Sequence, residues 1–128
     1  MLKEVRKTRQ IPNEPFRRWF SDKTFDLIVW YDPDNTIMGF QLCYRKGIDE
    51  HALTWLRGKG FSHNRIDDGE GRPARHKMTP LLALDGTFEK NHVLALFENE
   101  SKEIDPEIVG IVTEMIKRYP QASKRDNN

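Results

Sequence analysis

The chain has 128 residues, 21 Lys/Arg and 20 Asp/Glu, and a formal net charge of +1. Its length suits one domain that buries its own core without disulfides or metals. The single cysteine, Cys43, excludes an internal disulfide, and no apolar run approaches the ~20 residues of a membrane-spanning helix. Residues 1–10 lack the apolar stretch of a secretory leader, so we expect a cytoplasmic protein with no membrane partner.

Residues 1–15 form a basic arm that we expect to be partly mobile. Pro12 and Pro15 oppose regular helix and allow only extended or edge-strand structure. The aromatic residues that follow are too apolar to remain in water, so we expect them to close one end of the core. These residues are Phe16, Trp19 and Phe20. Arg17 and Arg18 should then point outward.

Residues 25–45 predict a β-hairpin, because two apolar runs flank the turn sequence Asp-Pro-Asp-Asn-Thr at 32–36. With Asp32 opposite Thr36, Asn35 takes the left-handed position of the loop. This register predicts three pairs on one face, namely Trp30 with Met38, Ile28 with Phe40 and Asp26 with Leu42. Both faces of the hairpin would then be apolar. We expect helices to cover one face and a second subunit, another sheet layer or a ligand to cover the other.

The middle of the chain continues with extended segments. Alternating residues at 51–57 predict a third strand, and residues 61–67 predict a fourth, more polar one. Residues 68–79 have no periodicity and read as a loop, and residues 80–84 predict a short buried strand.

The first of two predicted helices runs to about Glu100. Thr87 or Asp85 is its candidate N-cap, and apolar residues recur along one face.

The second helix has stronger boundary signals. Asp105 is a candidate N-cap, Pro106 fits the first helical position, and Pro120 ends the pattern. Residues 121–128 form a polar tail that we expect to be disordered.

Strands that precede helices favour an α+β fold over an alternating α/β fold. We therefore predict an antiparallel, meander-like sheet of about four to five strands, with two C-terminal helices covering one face. Residues 1–120 would form this single domain.

Residues 57–77 are rich in glycine, arginine, lysine and histidine. Guanidinium groups and glycine backbone amides suit phosphate or carboxylate oxygens, although no phosphate-binding loop motif is present. Together with the arm, this segment predicts an anion-binding surface. Its candidate residues are Arg17, Arg18, Trp19, Arg57, His63, Arg65, Arg72, Arg75 and His76.

The same segment leaves an enzymatic alternative open. A small hydrolase or metal-dependent enzyme would use His63, Asp67 and His76, because imidazole and carboxylate are competent ligands and bases. The spacing matches no named metal motif, and Ser62 beside His63 lacks a nucleophile-elbow sequence. We therefore predict no metal, no cofactor and no catalytic residue.

The leading hypothesis is a small, non-catalytic binding or accessory domain that recognises an anionic ligand and forms a homodimer through the doubly apolar hairpin. A nucleic-acid-binding protein is the main alternative, because the arm carries four basic residues beside aromatic ones. These four are Lys3, Arg6, Lys7 and Arg9.

Overall fold

The computed structural model describes residues 1–47, 49–66 and 88–120. Over these residues the chain forms a six-stranded antiparallel sheet in the sequential order β1 to β6, followed by two helices. The strands are β1 (Lys3–Glu4), β2 (Phe16–Ser21), β3 (Phe25–Tyr31), β4 (Ile37–Tyr44), β5 (His51–Leu56) and β6 (Gly60–Arg65), and the helices are α1 (Lys90–Glu100) and α2 (Pro106–Arg118).

This architecture confirms the predicted α+β class, the meander and the two C-terminal helices. The strand count is higher than predicted because the arm supplies β1 and the residues directly after the arm supply β2. The predicted loop at 68–79, the strand at 80–84 and the tail at 121–128 lie outside the described residues.

The core lies between one face of the sheet and the two helices. Leu27, Leu42 and Leu53 are fully buried and adjacent across β3, β4 and β5. Opposite them, α1 contributes Phe97, whose ring packs edge-on against the Phe25 ring at 5.8 Å. The helices add residues spaced along one stripe each, so the sheet face and the helix stripes form a single apolar cluster. The buried helical residues are Val93, Phe97, Ile108, Val112 and Ile116.

The predicted hairpin forms, but its predicted register is wrong beyond the first pair. Asn35 has a φ of 74°, and the Asp32 amide donates to the Thr36 carbonyl at 2.9 Å, as the turn requires. Tyr31 pairs with Ile37, but the register then shifts so that Met38 is skipped. Such a bulge moves every later residue of the strand by one position.

The shift sends the large apolar residues of β4 to the helix side. Phe40 and Leu42 pair with Val29 and Leu27 and are fully buried there. The opposite face of β4 carries Gln41 and Cys43 instead. Burial of two large side chains in the core is the physical gain that favours the bulge. The hairpin therefore has one strongly apolar face and one mixed face, and is not equally apolar on both.

The expected roles of the aromatic and basic residues in β2 are also partly wrong. Phe20 is buried as predicted, but Phe16 is 53% and Trp19 is 37% exposed. Arg17, which was expected to point outward, is only 8% exposed, while Arg18 is half-buried. Strand alternation places residues 16, 18 and 20 on the helix face and residues 17 and 19 on the other, so Trp19 cannot enter the core together with Phe20.

The helix boundaries follow local signals where those signals exist. Asp105 caps α2, since its carboxylate accepts a hydrogen bond from the Glu107 amide at 3.0 Å and Pro106 takes the first helical position. The helix ends at Arg118, before Pro120, as predicted. Helix α1 begins at Lys90 without a side-chain cap, and the cap candidates Asp85 and Thr87 lie outside the described residues. Neither helix has the length and apolar character needed to span a bilayer.

Candidate functional site

The predicted anion-binding residues do not meet on one surface in the described part of the chain. Arg17, Arg18 and Trp19 belong to β2, whereas His63 and Arg65 belong to β6. Strands β3, β4 and β5 lie between them, which places the two groups roughly 19 Å apart at ~4.8 Å per strand. The remaining candidates on the loop, Arg72, Arg75 and His76, and the alternative residue Asp67, lie outside the described residues.

Arg57 is engaged in holding the sheet together. Its guanidinium pairs with the Asp32 carboxylate and also donates to the Ile37 carbonyl at 3.2 Å. These contacts tie the end of β5 to the turn between β3 and β4. A hydrogen bond with Asp34, followed by the bond from Arg57, lowers the pKa of the Asp32 carboxyl to about 2.

His63 lies on the helix face of β6 and is only 4% exposed. Its Nε2 is hydrogen-bonded to the Tyr44 hydroxyl at 2.5 Å, and its ring contacts those of Phe88 and Tyr119. This burial separates His63 from any solvent-facing anion surface. Asp26 forms an ion pair with Lys46 at 3.2 Å.

The arm encloses a hollow beside β2 that contains two of the predicted residues. The chain follows the edge of β2 as far as Val5, whose amide donates to the Trp19 carbonyl at 2.8 Å. It then turns away and returns at Gln10, whose side-chain amide bonds both the amide and the carbonyl of Arg17 at 2.9 Å each. We call the space of about 470 Å³ between these two attachment points the arm hollow. It is lined by Glu4, Val5, Arg6, Lys7, Thr8, Gln10, Phe16, Arg17 and Arg18.

Ion pairs hold two of the cations around the arm hollow in fixed positions. Arg18 makes two hydrogen bonds with the Glu4 carboxylate, at 2.7 and 2.9 Å, and lies 3.4 Å from Asp105. The bond from Arg18 lowers the pKa of Glu4, and the bond to Glu4 raises that of Arg18. Arg17 reaches Glu14 at 2.6 Å through one terminal nitrogen.

Positive charge nevertheless remains in excess. Arg6 and Lys7 are exposed, and among the described residues neither makes an ion pair. Lys7 occupies a left-handed turn position with a φ of 57° and lines the hollow. The Nε of Arg17 is buried and has no hydrogen-bond partner among the described residues. The arm hollow is therefore a cationic concavity.

The sequence identified the basic composition of this region but not its shape. The role of Gln10 could not be predicted, because in the sequence a glutamine that bonds a strand backbone looks like any polar residue of a loop. Its two hydrogen bonds with Arg17 join residues seven positions apart, which only the folded arm brings together.

Comparisons with protein-family models, with curated proteins and with solved structures found no match. Within residues 1–47, 49–66 and 88–120, no group of three or more His, Cys, Asp or Glu side chains is placed to hold a metal ion.

Proposed function

We propose that this protein is a small cytoplasmic binding domain that recognises an anionic ligand in the arm hollow, without catalysis. The observation that carries the proposal is the cationic lining of the hollow. Carboxylates pair with Arg17 and Arg18, but Arg6 and Lys7 make no ion pair among the described residues. The cytoplasmic location rests on the lone cysteine, which is buried in β4.

The ligand group best suited to this hollow is a phosphate or a similar oxyanion. Guanidinium and ammonium groups suit an oxyanion, because charge-assisted hydrogen bonds are stronger than neutral ones. Arg6 and Lys7 supply exposed charges that make no ion pair among the described residues.

A titration with inorganic phosphate and pyrophosphate tests this function. Binding is detected by NMR of the backbone amides and the arginine side chains. We expect saturable shifts at residues 5–8, with pyrophosphate binding more tightly because it carries more charge. The double variant Arg6→Gln, Lys7→Gln should weaken binding about tenfold or more, since each lost charge-assisted bond removes roughly 1.5–3 kcal/mol.

The matched control is Lys23→Gln, Lys59→Gln, which removes the same charge from two exposed positions away from the hollow. This control should leave binding unchanged. Equal weakening by both double variants would show only general electrostatic attraction, and the absence of shifts near residues 5–8 would contradict the proposed site.

A nucleic acid is the alternative anion, and the same protein distinguishes it. A single-stranded oligonucleotide that spans several phosphates should then bind far more tightly than pyrophosphate, with affinity falling steeply as salt rises. Equal affinity for pyrophosphate and the oligonucleotide favours a small anionic ligand.

The second proposed partner is another copy of the chain. The sheet face opposite the helices carries apolar side chains among polar ones, including the 37% exposed Trp19 and the half-buried Ile28 and Leu56. This mixture resembles the composition of a non-obligate interface. Sedimentation analysis at micromolar concentration should show a dimer that Trp19→Ser weakens, and a strict monomer would refute this partner.

A further inference from the structure

Three ring side chains form a row across the sheet, at the end where β3 begins and β4 ends. Phe25 is paired with Tyr44, and Tyr44 is paired with His51, all on the helix face. The Tyr44 and His51 rings are stacked, with centroids 5.7 Å apart and planes 22° apart. Phe25 and Tyr44 are buried and His51 is half-buried, so His51 is the most exposed ring of the row.

Helix α1 faces this row with one stripe of its own residues. Val93 and Leu96 are apolar, while Glu89 precedes them at the N-cap and His92 lies one residue before Val93. The spacing of these positions places them on one side of the helix. Between the stripe and the ring row lies a cavity of about 460 Å³, within the usual range for small-molecule sites. It is completed by Thr24, Arg45 and Asp49.

Hydrogen bonds fix two of the rings before any ligand arrives. The Tyr44 hydroxyl is bonded to His63 Nε2. His51 Nδ1 lies 2.7 Å from the Asp49 carbonyl, which requires this nitrogen to carry the proton. Because these rings are already fixed, they lose little conformational entropy when a flat group binds against them.

The rim of the cavity carries charges of both signs. Arg45 supplies a cation, while Asp49 and Glu89 supply carboxylates. Among the described residues, none of these three side chains makes an ion pair with another. A ligand with one charge of each sign would match the charges of this rim.

We propose that this cavity binds a small zwitterion with a flat apolar side group, the chemistry of an aromatic amino acid. The side group lies against the rings of Tyr44 and His51 and against Leu96. The carboxylate pairs with the Arg45 guanidinium, and the ammonium group pairs with Glu89 and Asp49.

This site is independent of the arm hollow. The two cavities share no lining residue, and the hollow lies beside the outer strand β2 near Phe16, at the opposite end of that strand from Ser21. Failure of phosphate binding and failure of zwitterion binding are therefore separate results.

Calorimetric titration with L-phenylalanine and L-tryptophan tests the site, with hydrocinnamate and phenethylamine as analogues that each lack one charge. We expect the amino acids to bind and each analogue to bind about tenfold or more weakly, since each has lost a charged hydrogen bond. Arg45→Gln should weaken binding of L-phenylalanine but leave phenethylamine binding unchanged, because the amine has no carboxylate to lose. Glu89→Gln should show the reverse pattern with hydrocinnamate.

Lys59→Gln is the control, because Lys59 is exposed in the turn between β5 and β6 and does not line the cavity. It should change neither affinity. The proposal is overturned if neither amino acid binds at millimolar concentration, if the analogues bind as tightly as the amino acids, or if Arg45→Gln and Lys59→Gln have the same effect. Because Arg45 and Glu89 are both exposed, a melting curve suffices to show that the variants are folded.

Discussion

Gly39 lies in β4 at a position where the neighbouring strand leaves no room for a side chain. A Cβ at this position would lie 2.5 Å from the Trp55 carbonyl oxygen and 2.6 Å from a methyl carbon of Leu56. The carbonyl belongs to the backbone of β5, so it moves only if the sheet deforms. The register that follows the bulge therefore requires a glycine at position 39.

Gly39→Ala should lower the free energy of unfolding by about 1–3 kcal/mol, the usual range for overpacking. Gly110→Ala is the matched control, since nothing lies within 4 Å of its Cβ position in α2. It should stabilise the protein by roughly 0.5–1 kcal/mol through helix propensity. Urea unfolding measures both, and equal effects of the two substitutions would contradict the close approach.

The Asp32 carboxyl links stability to acid pH. Its folded pKa of about 2 lies below the ordinary value of 3.8, so its contribution is present above pH 3.8 and is lost as pH falls towards 2. Arg57→Gln should raise this pKa, while the bond with Asp34 keeps it below 3.8. A carboxyl NMR titration measures the shift. Lys59→Gln is the control, and an unchanged Asp32 pKa in Arg57→Gln would refute the ion pair.

At the scale of elements, α2 shows how a local signal sets a boundary. The Asp105 carboxylate accepts the Glu107 amide at the N-terminus, where helix backbone donors have no partner of their own. The same side chain reaches Arg18 of β2 at 3.4 Å, so the cap also ties the helix to the sheet.

Asp105→Ala should destabilise the protein by about 1 kcal/mol, whereas Asp105→Asn should cost only a few tenths because asparagine also caps. Urea unfolding of both variants separates the cap from the ion pair. If asparagine proves as costly as alanine, the charge contact with Arg18 and not the cap is the main contribution.

At the scale of the whole molecule, the N-terminal segment joins the sheet to α1. Leu2 is fully buried in the core cluster, and its amide donates to the Glu100 carbonyl at 2.8 Å. The short strand β1 pairs with β2 directly after it. The arm is thus anchored at its beginning and at Gln10, and the arm hollow lies between these points.

Leu2→Ala should therefore cost about 2–5 kcal/mol, as expected for a fully buried leucine. Leu96→Ala is the matched control, since that residue is 37% exposed and the same truncation should cost less than about 1 kcal/mol. Thermal or urea unfolding compares them. Similar losses at both positions would show that residues 1–5 are not part of the cooperative core.

The features that depend on neighbouring residues could be predicted from the amino-acid sequence. The turn at 32–36, the start of α2 at Asp-Pro-Glu and the order of strands before helices all follow from local preferences. It also marked Arg17 and Arg18 as candidate anion ligands by composition alone.

The features that depend on residues far apart in the chain could be seen only in the folded protein. The register shift that skips Met38 depends on how well Phe40 and Leu42 fill the core. Arg57 does not join the candidate anion-binding surface because it pairs with a carboxylate 25 positions away. Both cavities likewise form between segments that no short-range pattern connects. Packing and charge pairing depend on contacts across the whole fold. The sequence pattern therefore identified the residues but not their partners.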